Sequence, residues 1–159
     1  MKKETLILKI AVIFIALPVL AITLFGFPLI IQDAADSSMK MASVLYGLLT
    51  VFSLTLFPFL AALYQAFKLL KFIDCNDAFS AKSVEALKKI KLFAFSIAAL
   101  HLTSFPLYFI VGEVDDAPGV ILVGMMFISA PTVVAVFAAV LQKLMGNALE
   151  IKQDNDLTI

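Results

Sequence analysis

Four long apolar stretches dominate this sequence and limit the folds that it can adopt. They run from about Ile10 to Ile31, Met41 to Leu70, Leu92 to Val111 and Val120 to Leu144. A helix needs about 20 apolar residues to cross the hydrocarbon core of a bilayer. Backbone groups in lipid must be paired within their own segment, which makes a helix the expected form. The sequence therefore predicts an all-α integral membrane protein, a four-helix bundle with one membrane domain over residues 1–159.

The composition argues against a soluble domain. Hydrophobic residues make up 62% of the 159 residues and charged residues 15%, and the mean hydropathy is +1.05. Soluble domains typically contain about 45–50% apolar and about 25% charged residues. The formal net charge is +0, so no overall positive field attracts nucleic acid. We expect the lipid bilayer as a partner and no direct nucleic-acid binding.

The first apolar stretch has a second interpretation as a cleaved signal peptide. Lysines precede it, and Val19-Leu20-Ala21 loosely resembles a cleavage site. The apolar run continues through Phe27 to Ile31, however, and no polar region follows the possible cut. We therefore expect an uncleaved first helix.

The distribution of lysine predicts the orientation of the chain. The two termini and the second connection are rich in lysine, whereas the first and third connections, Gln32–Lys40 and Gly112–Gly119, are acidic. Lysine marks the cytoplasmic side of a membrane protein, and only Lys40 departs from this pattern. The lysines on the predicted cytoplasmic side are Lys2, Lys3, Lys9, Lys68, Lys71, Lys82, Lys88, Lys89, Lys91, Lys143 and Lys152. Both termini are thus predicted to be cytoplasmic, with residues 145–159 as a polar tail.

The acidic connections have two interpretations. Together they carry the carboxylates of Asp33, Asp36, Glu113, Asp115 and Asp116. A divalent cation prefers oxygen ligands, but the spacing of a calcium loop is missing. We therefore expect a solvated acidic rim and no metal site.

The second connection contains a predicted helix start. Ser80 is suited to cap a helix, and Val84, Leu87 and Ile90 follow at helical spacing. Lysines occupy the remaining face, which predicts a short amphipathic cytoplasmic helix leading into the third span. Its lysines are suited to anionic headgroups or, alternatively, to a soluble partner.

The C-terminal tail is expected to continue the fourth helix for a turn or more from Asn147. Leu157, Thr158 and Ile159 then end the chain with residues typical of strands and a free carboxylate. Such an end can add a strand to a partner's sheet or be captured as a terminus. A frayed tail is the alternative.

Catalytic and cofactor chemistry is not expected from these residues. The chain has one histidine and one cysteine, so it lacks a two-histidine metal site and an internal disulfide. Cys75 lies between Asp74 and Asp77, which do not activate a thiol. No glycine-rich phosphate loop is present. The sequence predicts a protein that is not an enzyme and holds no cofactor.

His101 is the only ionisable residue expected deep in the membrane. Such a residue suggests a proton relay or a pH sensor. The structural alternative is a neutral histidine that bonds a serine or threonine on another helix. A passive pore would place His101 in a polar cavity with Ser96, Thr103 and Gln65. The spans contain no deep aspartate, glutamate or arginine, which counts against an ion-coupled transporter.

Each predicted span contains a proline, namely Pro18, Pro58, Pro106 or Pro131. Proline removes a backbone donor and can kink a helix, which suggests a hinge. It is also ordinary in membrane helices, and we favour that interpretation.

Two segments resemble a known bacterial family. "AFSAKSVEALKKI" (Ala78–Ile90) resembles its P-F-S-x-x-x-V-x-x-L-x-x-I motif, and "EIKQDNDLTI" (Glu150–Ile159) resembles its terminal E-N-D-L-T-V signature. The family is catalogued as domain of unknown function 2975 and contains YoaS-like four-span membrane proteins. Ala78 replaces the usual proline and Asp77 a common glycine, which puts the form of the turn before Ser80 in doubt.

The resemblance implies a location in the bacterial inner membrane and a regulatory role. Members of this family are often encoded beside a small helix-turn-helix DNA-binding protein of the Cro/C1 type, which suggests a membrane-bound regulator of that transcription factor. The docking candidates on the matched positions are Phe79, Ser80, Val84, Leu87, Asp156, Leu157, Thr158 and Ile159. The alternatives are a small transport or channel component and a structural subunit of a membrane complex, as a monomer or an oligomer.

Overall fold

The computed structural model describes residues 2–157, and their side chains from residue 4 to residue 155. Every regular element in this part of the chain is a helix, which confirms the all-α prediction. The elements are α1 (Lys2–Ala21), a π-helical turn (Ile22–Gly26), α2 (Phe27–Asp36), α3 (Met39–Asp74), α4 (Ala81–Thr103), α5 (Phe105–Val114) and α6 (Pro118–Leu157).

Three continuous helical stretches are long and apolar enough to cross a membrane. They are Glu4–Asp36, which includes the π-helical turn, Met39–Asp74 and Pro118–Asn155. Helices α4 and α5 qualify together and are bent by 45° at a short break, which makes up to four candidate spans. This arrangement agrees with the predicted membrane helical bundle.

The break in the predicted third span is the main local difference from a continuous Leu92–Val111 helix. Pro106 lies at the start of α5 and has no N–H to donate to the preceding turn. Two hydroxyls satisfy nearby carbonyl groups: Thr103 Oγ1 donates to Leu100 O at 2.9 Å, and Ser104 Oγ donates to His101 O at 3.1 Å. These bonds pair backbone groups at the bend, as lipid surroundings require.

The other three prolines have different consequences. Pro58 and Pro131 lie inside the unbroken helices α3 and α6. Pro18 lies inside α1, and the π-helical turn Ile22–Gly26 lies just before Pro28, which has no N–H to donate to Leu24 O in that turn. A π-helical turn is a common response to a lost backbone bond within a helix. Proline therefore coincides with a break in only one of the described spans.

The first and third connections are shorter than the sequence suggested. Helix α2 continues to Asp36 and α3 begins at Met39, so most of the predicted Gln32–Lys40 loop is helical. Helix α5 similarly continues to Val114, and α6 begins at Pro118. The predicted loops were too long because they were drawn from the ends of the apolar stretches. A helix can extend past such an end, since its polar side chains can then contact water.

Helix α4 is the centre of the packing, since it lies against both α3 and α6. Its contact with α6 is the most extensive in the described structure, and Ala94 and Ala98 of α4 and Ala135 and Ala138 of α6 are all buried. Small side chains let membrane helices approach closely. These buried alanines suit close packing of the two helices.

The first span lies at the edge of the bundle. Within the described residues, α1 and α2 pack against α3 and against no other long helix. At the end of α3, Asp74 accepts hydrogen bonds from Thr5 Oγ1 and Lys9 Nζ of α1. The same end of the molecule therefore carries the start of the first span and the end of the second.

Candidate functional site

The turn between α3 and α4 is held by a serine pair. Asn76 adopts a left-handed backbone conformation with φ 57° just after α3. Ser80 Oγ accepts a hydrogen bond from the Ser83 backbone N–H at 3.3 Å, which confirms the predicted helix cap. Ser83 is fully buried, and its hydroxyl donates to Asp77 O at 3.2 Å. These bonds hold the turn against the first turn of α4.

The predicted amphipathic helix is the first part of α4. Helix α4 runs from Ala81 to Thr103 without interruption, so the lead-in and the third span are one rigid element. Glu85 and Lys89 form an ion pair of 2.8 Å on its exposed surface. The hydrogen bond from Lys89, with its positive charge, lowers the pKa of the Glu85 carboxyl.

A groove of about 330 Å³ lies between this turn and α6. Asn76 and Phe79 line it from the turn, and Ala148 and Lys152 line it from α6. Phe79 is 56% exposed. We call this feature the loop–tail groove. It brings together the two segments that the sequence singled out, Ala78–Ile90 and Glu150–Ile159.

The predicted docking residues do not form one surface. Phe79 lines the loop–tail groove, whereas Leu87 is only 3% exposed and packs at the contact between α4 and α6. Val84 is partly buried, and Ser80 is engaged in the helix cap. Of the predicted residues with described side chains, Phe79 is therefore the one that is open to a partner.

The tail forms a helical arm. Helix α6 continues to Leu157, so it extends roughly 20 Å past Leu144 at about 1.5 Å per residue. The backbone of Leu157 is helical, and the proposed strand addition or capture of the terminus by a partner stays a prediction. The side chains of Asp156 and Leu157, and all of Thr158 and Ile159, lie outside the described residues.

His101 forms a buried polar pair inside the third span. Its Nδ1 lies 2.7 Å from the hydroxyl oxygen of Tyr108, and His101 itself is 1% exposed. Phe127 stacks on the imidazole at a centroid distance of 4.9 Å, and Phe52 meets it edge-on at 5.3 Å. The predicted serine or threonine partner on another helix is wrong, because the partner is a tyrosine across the bend of the same span.

Two residues of the predicted polar cavity, Ser96 and Thr103, do not bond to His101. Ser96 Oγ donates to Phe93 O and Thr103 Oγ1 donates to Leu100 O, so both hydroxyls bond to their own helix. Phe52, Tyr108 and Phe127 occupy the space around the imidazole. This packing counts against a pore through His101.

No metal-binding cluster occurs in the described part of the chain. No three histidine, cysteine, aspartate or glutamate side chains there come together as possible ligands. Cys75 is a free, exposed thiol at the end of α3.

A second groove, of about 270 Å³, was not anticipated from the sequence. We call it the α4–α6 groove; its lining is Leu87, Ile90, Val133, Val134, Phe137, Ala138 and Leu141. Beside it, Lys91 Nζ donates to Gln142 Oε1 at 2.9 Å and joins the two helices. The available signal was the position of Lys91, four residues after Leu87 and thus on the same helical face.

Comparisons with known proteins place the chain in a family. The family described as "Protein of unknown function (DUF2975)" matches residues 29–159. The "Uncharacterized membrane protein YoaS" of Bacillus subtilis (strain 168) is 44% identical over 158 residues, which cover 99% of each chain. No solved structure matches this chain. With its set of long apolar helices, the chain is a multi-pass membrane protein that belongs to the DUF2975 family.

Proposed function

We propose that this protein is a membrane-bound regulator that holds a small soluble helix-turn-helix DNA-binding protein at the loop–tail groove. The observation that carries the proposal is the meeting of Phe79 and Lys152 in one groove. These residues belong to the two segments that carry the family motifs. Members of the family that the sequence resembles are often encoded beside a helix-turn-helix DNA-binding protein, which supports the choice of partner.

The groove has the chemistry of a protein-binding site. Phe79 offers an exposed aromatic ring, and aromatic anchors contribute a large share of the binding energy at protein interfaces. Asn76 and Lys152 add a polar donor and a positive charge at its edge. The helical arm of α6 presents exposed Ile151 next to Lys152, which suits contact with a helical partner.

The proposed orientation places this groove in the cytoplasm of a bacterial cell, with the protein in the inner membrane. Lys9 contacts Asp74, so the N-terminal end and the second connection share one end of the molecule. Lys152 lies beside the same connection, in the groove. The lysine-rich segments thus cluster at one end, which supports cytoplasmic termini.

The proposed activity is binding and not catalysis. Retention of the DNA-binding protein at the membrane would lower its free concentration near its operators. The packing of aromatic rings around His101 makes a solute pathway the less favoured alternative.

The first test is whether a gene for a small helix-turn-helix protein lies beside the gene of this protein, and its absence would contradict the proposal. The binding test uses the full-length protein in lipid nanodiscs and the product of that neighbouring gene. We expect Phe79→Ala to weaken binding about tenfold or more, since an aromatic anchor contributes at least about 1–2 kcal/mol. Tyr64→Ala is the matched control, because Tyr64 is an exposed aromatic residue near the same end of α3 and outside the lining of the groove.

Deletion of residues 153–159 provides a second variant that leaves the groove lining in place. We expect weaker binding if the arm contributes to the contact. Equal binding by the parent protein, Phe79→Ala and the deletion would contradict the proposal. Recovery of an integral membrane protein as the main co-purifying partner would instead favour the assembly-subunit interpretation.

A further inference from the structure

We propose that the α4–α6 groove binds one anionic phospholipid, with an acyl chain along the groove and the phosphate beside Lys91. This lipid site is independent of the proposed docking of a DNA-binding protein. It uses a different surface, a different chemistry and a different part of α6.

The groove provides a shaped apolar surface. Leu87 and Ala138 are both almost fully buried and form its floor. Val133, Val134 and Phe137 are exposed and form its sides. All of the lining side chains are apolar. A hydrocarbon chain fits this chemistry, because a groove between two packed membrane helices offers it more contacts than a flat helix surface.

A positive charge stands at the lysine-rich end of the groove. Lys91 Nζ donates to Gln142 Oε1 at 2.9 Å, and Gln142 directly follows the lining residue Leu141. Gln142 is neutral, so this hydrogen bond orients the ammonium group without cancelling its charge. A lysine near the end of a span extends its charged group toward the membrane surface, where lipid phosphates lie.

The surrounding charges leave Lys91 available to an anion. No aspartate or glutamate occurs in residues 86–112 or 118–149. Within the described residues, the ion pairs are Lys9–Asp74 and Lys89–Glu85, and neither involves Lys91. Lys88 and Lys143 directly follow the lining residue Leu87 and the bonded Gln142. Basic pockets between membrane helices on the cytoplasmic side are typical sites for anionic headgroups.

The experiment is native mass spectrometry of the full-length protein in a mild detergent, titrated with dioleoyl phosphatidylglycerol or dioleoyl phosphatidylcholine. The two lipids have the same chains and differ in net charge. We expect phosphatidylglycerol to be retained about fivefold more, since one lysine near the surface contributes on the order of 1 kcal/mol to an anionic headgroup. Lys91→Gln should remove this preference, and Lys91→Arg should retain it.

Lys82→Gln is the matched charge control, because Lys82 is an exposed lysine in the first turn of α4 and precedes the first lining residue, Leu87, whereas Lys91 directly follows the lining residue Ile90. It should leave the preference unchanged. An equal loss in Lys91→Gln and Lys82→Gln would overturn the proposal, since it would indicate a diffuse surface charge. Retention of inorganic phosphate by the protein as strong as that of phosphatidylglycerol would also overturn the proposal.

The apolar half of the site is tested separately. Val134→Trp should fill the groove and reduce retention of both lipids, whereas Val123→Trp should not. Both valines are exposed on α6, but only Val134 lines the groove. A monodisperse elution profile establishes that each variant is folded. Unchanged retention by folded Val134→Trp would overturn the placement of the acyl chain.

Discussion

At the scale of single residues, the bundle is specified by a few polar and small groups. His101 and Tyr108 bond to each other across the bend between α4 and α5, away from water. Gly124 lies against the tyrosine ring, where a Cβ would approach Tyr108 Cγ to 2.7 Å. A buried polar pair is stable only while both partners are present, so this cluster is sensitive to single substitutions.

Tyr108→Phe is expected to destabilise the protein by about 1–2 kcal/mol, because it leaves the buried imidazole without its partner. Thermal unfolding in detergent measures the effect. Tyr46→Phe removes a hydroxyl from a more exposed ring and should change stability little. Adding His101→Phe to Tyr108→Phe removes both polar groups, and its effect should be less than the sum of the single effects. A double-variant effect equal to the sum of the two single effects would contradict an interaction between His101 and Tyr108.

Gly124→Ala should destabilise the protein by about 1–3 kcal/mol, because the new methyl group overlaps the Tyr108 ring. Gly146→Ala is the control, since Gly146 also lies in α6 and a Cβ there meets nothing within 4 Å. Alanine has the higher helix propensity, so the control should be neutral or stabilising. Equal unfolding midpoints for the two variants would argue against the close approach.

At the scale of elements, local sequence signals explain where helices begin and bend. Ser80 caps α4, and Ser38 caps α3 by accepting a hydrogen bond from the Met41 backbone N–H at 3.4 Å. Pro106 accompanies the bend in the third span, whereas Pro58 and Pro131 lie in unbroken helices. A proline therefore permits a bend but does not require one. At the bend in the third span, the hydroxyls of Thr103 and Ser104 help to pair the backbone carbonyl groups.

Ser80→Ala should weaken the start of α4 by about 0.5–2 kcal/mol, since the Ser83 backbone N–H loses its acceptor. Hydrogen exchange should accelerate in residues 81–85 and remain unchanged in α6. Ser80→Asp keeps an acceptor and adds a negative charge at the helix start, so it should restore protection. Fast exchange in both variants would indicate a different role for Ser80.

At the scale of the whole molecule, α3, α4 with α5, and α6 form the packed part, and the first span is attached at one side. The described contacts of the first span with other long helices are with α3, and Asp74 links to Thr5 and Lys9 at one end. An element with few partners opens at a lower free energy than the rest of the protein. The first span is thus expected to be the least stable part of the fold.

Asp74→Asn should speed hydrogen exchange in residues 4–21 more than in α4 or α6, because it weakens the link to Lys9. Glu85→Gln is the control, since it removes a carboxylate from the exposed pair with Lys89. Uniform acceleration throughout the Asp74→Asn protein would show that the first span does not open separately.

The single cysteine offers a direct test of orientation. Cys75 is exposed at the lysine-rich end of α3, so the proposed topology places it in the cytoplasm. A membrane-impermeant maleimide should label Cys75 in inverted vesicles and not in intact spheroplasts. Asp116→Cys in a Cys75→Ser background should show the opposite pattern. Labelling of Cys75 in intact spheroplasts would contradict cytoplasmic termini.

The sequence by itself determined that the chain is helical, where its apolar stretches lie, that Ser80 caps α4 and that lysine collects in particular segments. These properties depend on transfer into lipid and on neighbours within one turn of helix. Only the tertiary structure decided that Tyr108 bonds His101, that Phe79 and Lys152 line one groove, and that Lys91 bonds Gln142. Those contacts depend on the bend at Ser104 and on the rotation of each helix about its axis. Many rotations have nearly the same energy in lipid, which solvates every apolar face alike, so packing selects among them.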